Sequence, residues 1–157
     1  MSSGRKKIIG VIGAGDAGQK DLETAQAVGE EIAKSGYTLL CGAMGGVMEA
    51  ASRGAKSQNG TTIGIVPGST KTECNEFIDY AVVTGMGHAR NLIVAGSSDA
   101  IIAIGGSFGT LSEIAFALRL EIPIIGLGTW DVSEDITKAK DPKEAVHMAA
   151  GLIGPGN

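Results

Sequence analysis

Six short apolar runs divide the chain, at residues 8–12, 37–41, 61–66, 80–83, 100–104 and 123–127. Several are apolar throughout instead of alternating, the pattern of strands covered on both faces. Between them lie segments with helical patterning: 19–35, 45–58, 86–97, 109–120 and 142–150. In 109–120, Leu111, Ile114, Ala115 and Leu118 fall at i, i+3, i+4 and i+7, which predicts one apolar face toward a sheet. The last segment is signalled at both ends, by Asp141 as N-cap, Pro142 at the first helical position, Glu144 three residues after the cap, and Gly151. Alternating strands and helices predict an α/β fold: a mostly parallel sheet between two layers of helices.

Composition bounds this picture without changing it. At 157 residues with 43% apolar content, the chain is expected to form a single domain over 1–157, with a core that needs neither disulfides nor metals. Its 25 glycines are more than twice the usual share, and nearly every predicted strand runs into one: Gly13, Gly42, Gly68, Gly85, Gly105 or Gly126. The carboxyl edge of an open parallel sheet is where ligands bind, and glycine there lets backbone amides approach an anion. The net charge of −4, with Lys and Arg scattered, leaves no basic stripe for nucleic acid. Cys41 and Cys74 are lone thiols with no C-x-x-C and no nearby histidine pair, so no protein metal site or disulfide framework is expected. Met1 to Lys7 is followed by only a strand-length apolar run, too brief for a signal peptide or membrane span. A cytoplasmic protein without membrane partners is the expectation.

The first glycine turn, Gly13-Ala14-Gly15-Asp16-Ala17-Gly18, matches the dinucleotide fingerprint G-x-G-x-x-G. That fingerprint also needs an acid at the end of the second strand to hold the ribose hydroxyls. Here the second strand ends Leu40-Cys41-Gly42 and continues as Ala43-Met44-Gly45-Gly46, with no carboxylate. The NAD reading fails, although the turn remains able to border a phosphate or sugar.

A denser constellation runs from Gly85 to Leu118. Gly105-Gly106-Ser107-Phe108-Gly109-Thr110 would place free backbone N–H groups and the positive end of a helix dipole at the sheet edge, a cradle for phosphate. Thr110 and Glu113 also fit a capping box, T-x-x-E, and Arg90 by itself reads equally as a solvated helix charge. His88 reads as a ligand contact or as the start of its helix, and Trp130 as packing over the sheet edge or in an interface.

Taken together these residues resemble the LOG, or lysine decarboxylase-like, family, whose signature P-G-G-x-G-T-x-x-E follows an H-x-R. His88 and Arg90 match the H-x-R, while Gly106, Phe108, Gly109, Thr110 and Glu113 fall on the signature, with Gly105 in place of its proline and Ser107 in place of its second glycine. "GAMGGVMEAASRGA" and "TIGIVPG" resemble the family's upstream glycine turn and third strand, so the likeness covers about residues 6 to 130. The departures, with "IIGVIG" and "VVTGMGHARN", look like the branch of the molybdenum cofactor carrier proteins. The resemblance implies a Rossmann-like, doubly wound sandwich, an anion pocket over the glycine turns and a homo-oligomer.

Two functions follow from the resemblance. The first is a carrier for a phosphorylated small molecule, molybdenum cofactor or a related nucleotide. The amides of Gly106, Ser107, Phe108, Gly109 and Thr110 would hold the phosphate, Gly13, Gly15, Gly45 and Gly46 would border the rest, and His88 and Arg90 would contact it. Glu113 would cap its helix and hold Arg90. No resident cofactor is needed, because metal would arrive with the ligand. The second is a nucleoside 5′-monophosphate phosphoribohydrolase, in which Glu113 stabilises positive charge on the ribose or positions water and Arg90 orients it. Replacement of the signature proline and glycine next to the reacting centre favours the carrier. Helices 86–97 and 109–120 carry apolar residues on more than one face, including Ala89, Leu92, Ile93, Phe116 and Leu120, which predicts a homodimer or homotetramer built on them.

Overall fold

The computed structural model describes residues 4–156. Among them, seven strands form one sheet: β1 (Ile8–Gly13), β2 (Thr38–Cys41), β3 (Thr62–Val66), β4 (Tyr80–Val83), β5 (Ala100–Ile104), β6 (Ile124–Leu127) and β7 (Ile136–Lys138). Their order is β4-β3-β2-β1-β5-β6-β7 and every pair is parallel. The chain winds outward from β1 to β4, then returns to the other side of β1 with β5. The carboxyl ends of β1 and β5 therefore flank the topological switch point, where an open α/β sheet forms its crevice.

Five α-helices cover the sheet: α1 (Gln19–Lys34), α2 (Val47–Ser57), α3 (Arg90–Ser97), α4 (Phe108–Arg119) and α5 (Pro142–Ile153). Side chains alternate across each strand, so the strands feed two cores. Ile9, Val11, Leu39, Ile102 and Ile104 pack against α1, α2 and α5. Ile12, Leu40, Ile101, Ala103 and Ile124 pack against α3 and α4. Both faces of the central strands are buried, which is why their sequences are apolar throughout. The result is the doubly wound, Rossmann-like three-layer sandwich expected from the resemblance.

Several boundaries differ from the sequence expectation. β7 is an additional strand: only Ile136 of its three residues is buried, and main-chain pairing with β6 defines it, so no apolar run announces it. The predicted helix 86–97 breaks into a 3-10 turn, Gly87–Ala89, followed by α3. Gly85 and Gly87 donate to the carbonyls of Gly68 and Pro67 (2.8 and 2.9 Å), so this stretch is held to the loop after β3 and helix begins only at Arg90. α5 runs through Gly151 to Ile153, because its buried face of Ala145, Val146 and Ala149 outweighs the propensity cost of one glycine. Its cap is as read, with Asp141 accepting from the Glu144 N–H at 2.8 Å.

The buried face of α4 is also not the predicted one. Thr110, Glu113, Ile114 and Ala117 are buried, whereas Ala115 is exposed and Leu111 and Leu118 are half-buried. α4 is apolar nearly all round, so periodicity alone left its orientation open. No helix among the described residues is long and apolar enough to cross a membrane.

Candidate functional site

At the switch point a cavity of about 170 Å³ is lined by Gly13, Gly15, Met48, His88, Arg90, Asn91, Ser107, Gly109, Thr110 and Glu113. Eight of these are sequence-predicted site residues, drawn from β1, α3, α4 and the turns between them. Gly45, Gly46, Gly106 and Phe108 lie outside its lining.

Arg90 is organised by carbonyls. From the first turn of α3 its Nε donates to the Ile65 carbonyl (3.1 Å), its Nη2 to the Gly42 carbonyl (3.2 Å) and its Nη1 to the Asn91 amide oxygen. These acceptors lie at the carboxyl ends of β3 and β2, so one side chain ties the glycine turns together. A Cβ at Gly42 would stand 2.8 Å from Nη2, so only glycine admits the guanidinium there. The strand end where a dinucleotide site would carry a ribose-binding acid is thus occupied by the Arg90 guanidinium.

Glu113 is 7% exposed in the second turn of α4, and burial pushes its carboxyl up to about 8, with Arg90 opposing the shift. Among the described residues its carboxyl accepts no hydrogen bond and forms no ion pair with Arg90. It does not cap α4 either. The N-cap is Ser107, whose N–H donates to the Thr110 hydroxyl at 3.3 Å. The expected T-x-x-E box is therefore corrected to a Ser107–Thr110 exchange one turn earlier. Glu113 lies too deep in the helix to reach the end of the chain that a cap must satisfy.

The amides of Phe108 and Gly109, in the first turn of α4, have no intrahelical acceptor and carry the positive end of its dipole. With Arg90 as permanent charge and a carboxyl that stays neutral at pH 7, the pocket is electropositive inside a protein whose net charge is −4.

Gly46 acts behind the wall. Its φ is +64°, and a Cβ there would meet the Ala14 carbonyl oxygen at 2.2 Å. The Val47 N–H donates to that same oxygen at 3.0 Å, locking the second glycine turn onto the first. Gly45 sits beside it, 3.8 Å from the Gly15 carbonyl at its Cβ position. These two residues brace the Gly13–Gly15 wall, because the turns pack backbone to backbone.

The sequence reading missed Asn91, Met48 and Asn75. Asn91 is 3% exposed and donates to the Ser112 hydroxyl at 3.0 Å, joining α3 to α4. Asparagine in a short apolar helix was the available signal. Asn75 donates to the carbonyls of Ala43 and Met44 (3.1 and 2.9 Å), holding buried Ala43 at a φ of +73°, a strained backbone next to the pocket. Its partners are 31 and 32 residues away, so nothing local announces it. Cys41 is fully buried, with its thiol pushed up by desolvation. No cluster of three or more His, Cys, Asp or Glu side chains that could hold a metal ion occurs among the described residues.

On the far side of the α4 turn, Phe108 is 81% exposed and stacks on Trp130, centroids 5.9 Å apart. The Trp130 indole donates to the Ser107 carbonyl at 3.1 Å.

The fold has counterparts in known proteins. The molybdenum cofactor binding protein of Rippkaea orientalis superposes with a TM-score of 0.92 at 40% identity, covering 97% of this chain and 100% of that one. The molybdenum cofactor carrier protein of Chlamydomonas reinhardtii gives 0.86 at 36% identity, over 94% and 98%. A cytokinin riboside 5′-monophosphate phosphoribohydrolase of Mycobacterium marinum is 35% identical over 98 residues, 59% of this chain and 51% of that protein, so the likeness spans about half of the enzyme. The model of the SLOG cluster4 family matches residues 6–152, nearly the whole chain, and the protein belongs to that family.

Proposed function

We propose that this protein binds and carries a phosphorylated small molecule, with a phosphorylated pterin such as molybdenum cofactor as its cargo. The phosphate sits over the amides of Phe108 and Gly109 with Arg90 behind it, and Gly13, Gly15, His88, Ser107 and Thr110 border it. Neutral Glu113 donates a hydrogen bond to a ligand oxygen. The likeness to molybdenum cofactor binding and carrier proteins supports the choice of cargo.

The observation that carries the reading is the likeness over nearly the whole chain to a molybdenum cofactor binding protein and a carrier protein, against a likeness to the phosphoribohydrolase over 59% of it. Burial raises the Glu113 carboxyl to about 8, so near neutral pH it is a hydrogen-bond donor toward a ligand oxygen. A site that keeps its acid neutral suits the holding of an anion. The outward surface of α3 and α4, where Leu92 and Leu120 are 43% and 44% exposed, is the subunit contact in this reading.

The test is direct. Purified protein is incubated with AMP and an N6-substituted AMP, released base is assayed, and the preparation is oxidised and examined for pterin fluorescence. Pterin that co-purifies with no base released supports the carrier. Turnover that disappears in Glu113→Gln overturns it in favour of a phosphoribohydrolase, the activity of the mycobacterial relative of which this chain matches about half.

A further inference from the structure

The phosphate pocket, at about 170 Å³, is smaller than the space a whole nucleotide-sized ligand fills. A second cavity of about 290 Å³ lies at the carboxyl ends of β6 and β7, lined by Gly126, Gly128, Thr129, Trp130, Asp131, Ile136, Lys138 and Ala139. A hydrogen bond links the lining of one to the lining of the other. Trp130 borders the second cavity, and its indole N–H is held by the carbonyl of Ser107, which borders the first. The Thr129 hydroxyl donates to the Gly105 carbonyl at 2.7 Å, adding a second link between these segments.

The chemistry of the second cavity differs from that of the first. It offers an aromatic surface, a carboxylate and an ammonium group in place of free amides. Phe108 backs Trp130 with an interplanar angle of 30°, so the indole is braced although half-exposed. Asp131 and Lys138 pair at 3.2 Å with 73% of each side chain exposed, so screening makes the pair weak and its exchange for ligand contacts cheap. Exposed stacked aromatics form a platform for a flat ring.

Resting on the anion-binding reading, we propose that the Trp130 cavity receives the nitrogen heterocycle of the same ligand. The ring stacks on Trp130, and Asp131 accepts from a 2-amino-4-oxopyrimidine edge, the edge that guanine and pterins share. A carboxylate meets that edge with two parallel N–H···O bonds, from the ring N–H and the amino group, whereas adenine presents no such pair of donors. Trp130 and Asp131 are specificity-determining residues here, and Phe108 positions the indole.

Trp130 is the sole tryptophan in the chain, so its fluorescence follows the aromatic wall of this cavity without interference from another indole. The full-length protein is titrated with GMP, AMP, ribose 5-phosphate and inorganic phosphate, by fluorescence and by calorimetry. GMP is expected to quench Trp130 and to bind at least tenfold tighter than AMP, while ribose 5-phosphate binds without quenching. In Asp131→Asn the GMP preference over AMP disappears, and in Phe108→Ala the ratio of GMP to ribose 5-phosphate affinity drops about tenfold. Equal affinity for GMP and ribose 5-phosphate with a silent Trp130 overturns the ring site and leaves the phosphate pocket standing. Failure of all four probes to bind overturns the anion-binding reading itself, and the ring site with it.

Discussion

Arg90 and Glu113 share one pocket without forming an ion pair: the guanidinium is committed to the Gly42 and Ile65 carbonyls and to Asn91, and the carboxyl is left without a hydrogen bond. Each still feels the other, since Arg90 lowers and burial raises the Glu113 ionisation, with burial the larger influence. The two therefore serve different purposes. Arg90 holds the strand ends in place, and in the proposed function it supplies charge while Glu113 keeps a proton available to the ligand.

That separation has a pH signature. Glu113 titrates at 4.5 when free and at about 8 when folded. Between those values the unfolded chain has released a proton that the folded protein retains, so stability falls as pH rises from about 4.5 to about 8 and then levels. A difference of this size corresponds to on the order of 5 kcal/mol. Glu113→Gln removes it. Thermal melts of the two proteins are expected to run closest near pH 5, with the variant melting several degrees higher at pH 9; parallel Tm profiles across this range would show that Glu113 ionises normally.

Replacing Arg90 strands two buried carbonyls. Arg90→Met is expected to lose roughly 2–4 kcal/mol of stability, read from urea midpoints, since acceptors buried without donors keep their full desolvation cost. Arg90→Lys recovers only part of this, because one ammonium cannot reproduce a planar fork spread over β2, β3 and Asn91. Both variants are expected to lose the rise in Tm that phosphate gives the parent protein.

Two glycines in adjoining turns are expected to answer differently to alanine. At Gly46 the φ of +64° and the 2.2 Å approach of the Ala14 carbonyl leave no room, so Gly46→Ala loses at least about 2 kcal/mol. At Gly15 the nearest atom to a new Cβ is Met48 Cε at 3.9 Å, an ordinary contact. Gly15→Ala is expected to melt within about 2 °C of the parent, an effect below about 1 kcal/mol, but to bind phosphate more weakly because its methyl group enters the pocket wall. Equal melting of the two variants would contradict the division between supporting and lining glycines.

The outer face of α3 and α4 carries the oligomer prediction. Leu92→Glu and Leu120→Glu place charge on half-exposed positions, so the monomer fold is expected to survive, with unchanged far-UV circular dichroism. Light scattering is expected to show the parent as a dimer or tetramer and the doubly substituted chain as a monomer. A parent that is already monomeric at micromolar concentration rejects this surface as the contact.

Six of the seven strands and the existence of all five helices were legible in the residue pattern: burial on both faces of the central strands imposes uninterrupted apolar runs, and β4, a mostly exposed edge strand, was legible from its short apolar run with paired valines. β7 was not legible, since three residues with one buried side chain are defined by their partner strand. The failed dinucleotide motif was legible too, from the absence of an acid after Cys41. That a guanidinium 48 residues further along fills the place was not.

The sequence by itself determined the layer architecture, the edge of the sheet where glycines gather, and the residue types that meet there, because these depend on periodicity and local turn chemistry. Tertiary structure alone decided what each of those residues does. Whether Gly46 lines a pocket or braces one, whether Thr110 pairs with Glu113 or Ser107, and whether Glu113 is charged all depend on distances between segments far apart in the chain. Those distances set burial and hydrogen-bond partners, and burial converts a carboxylate into a neutral acid.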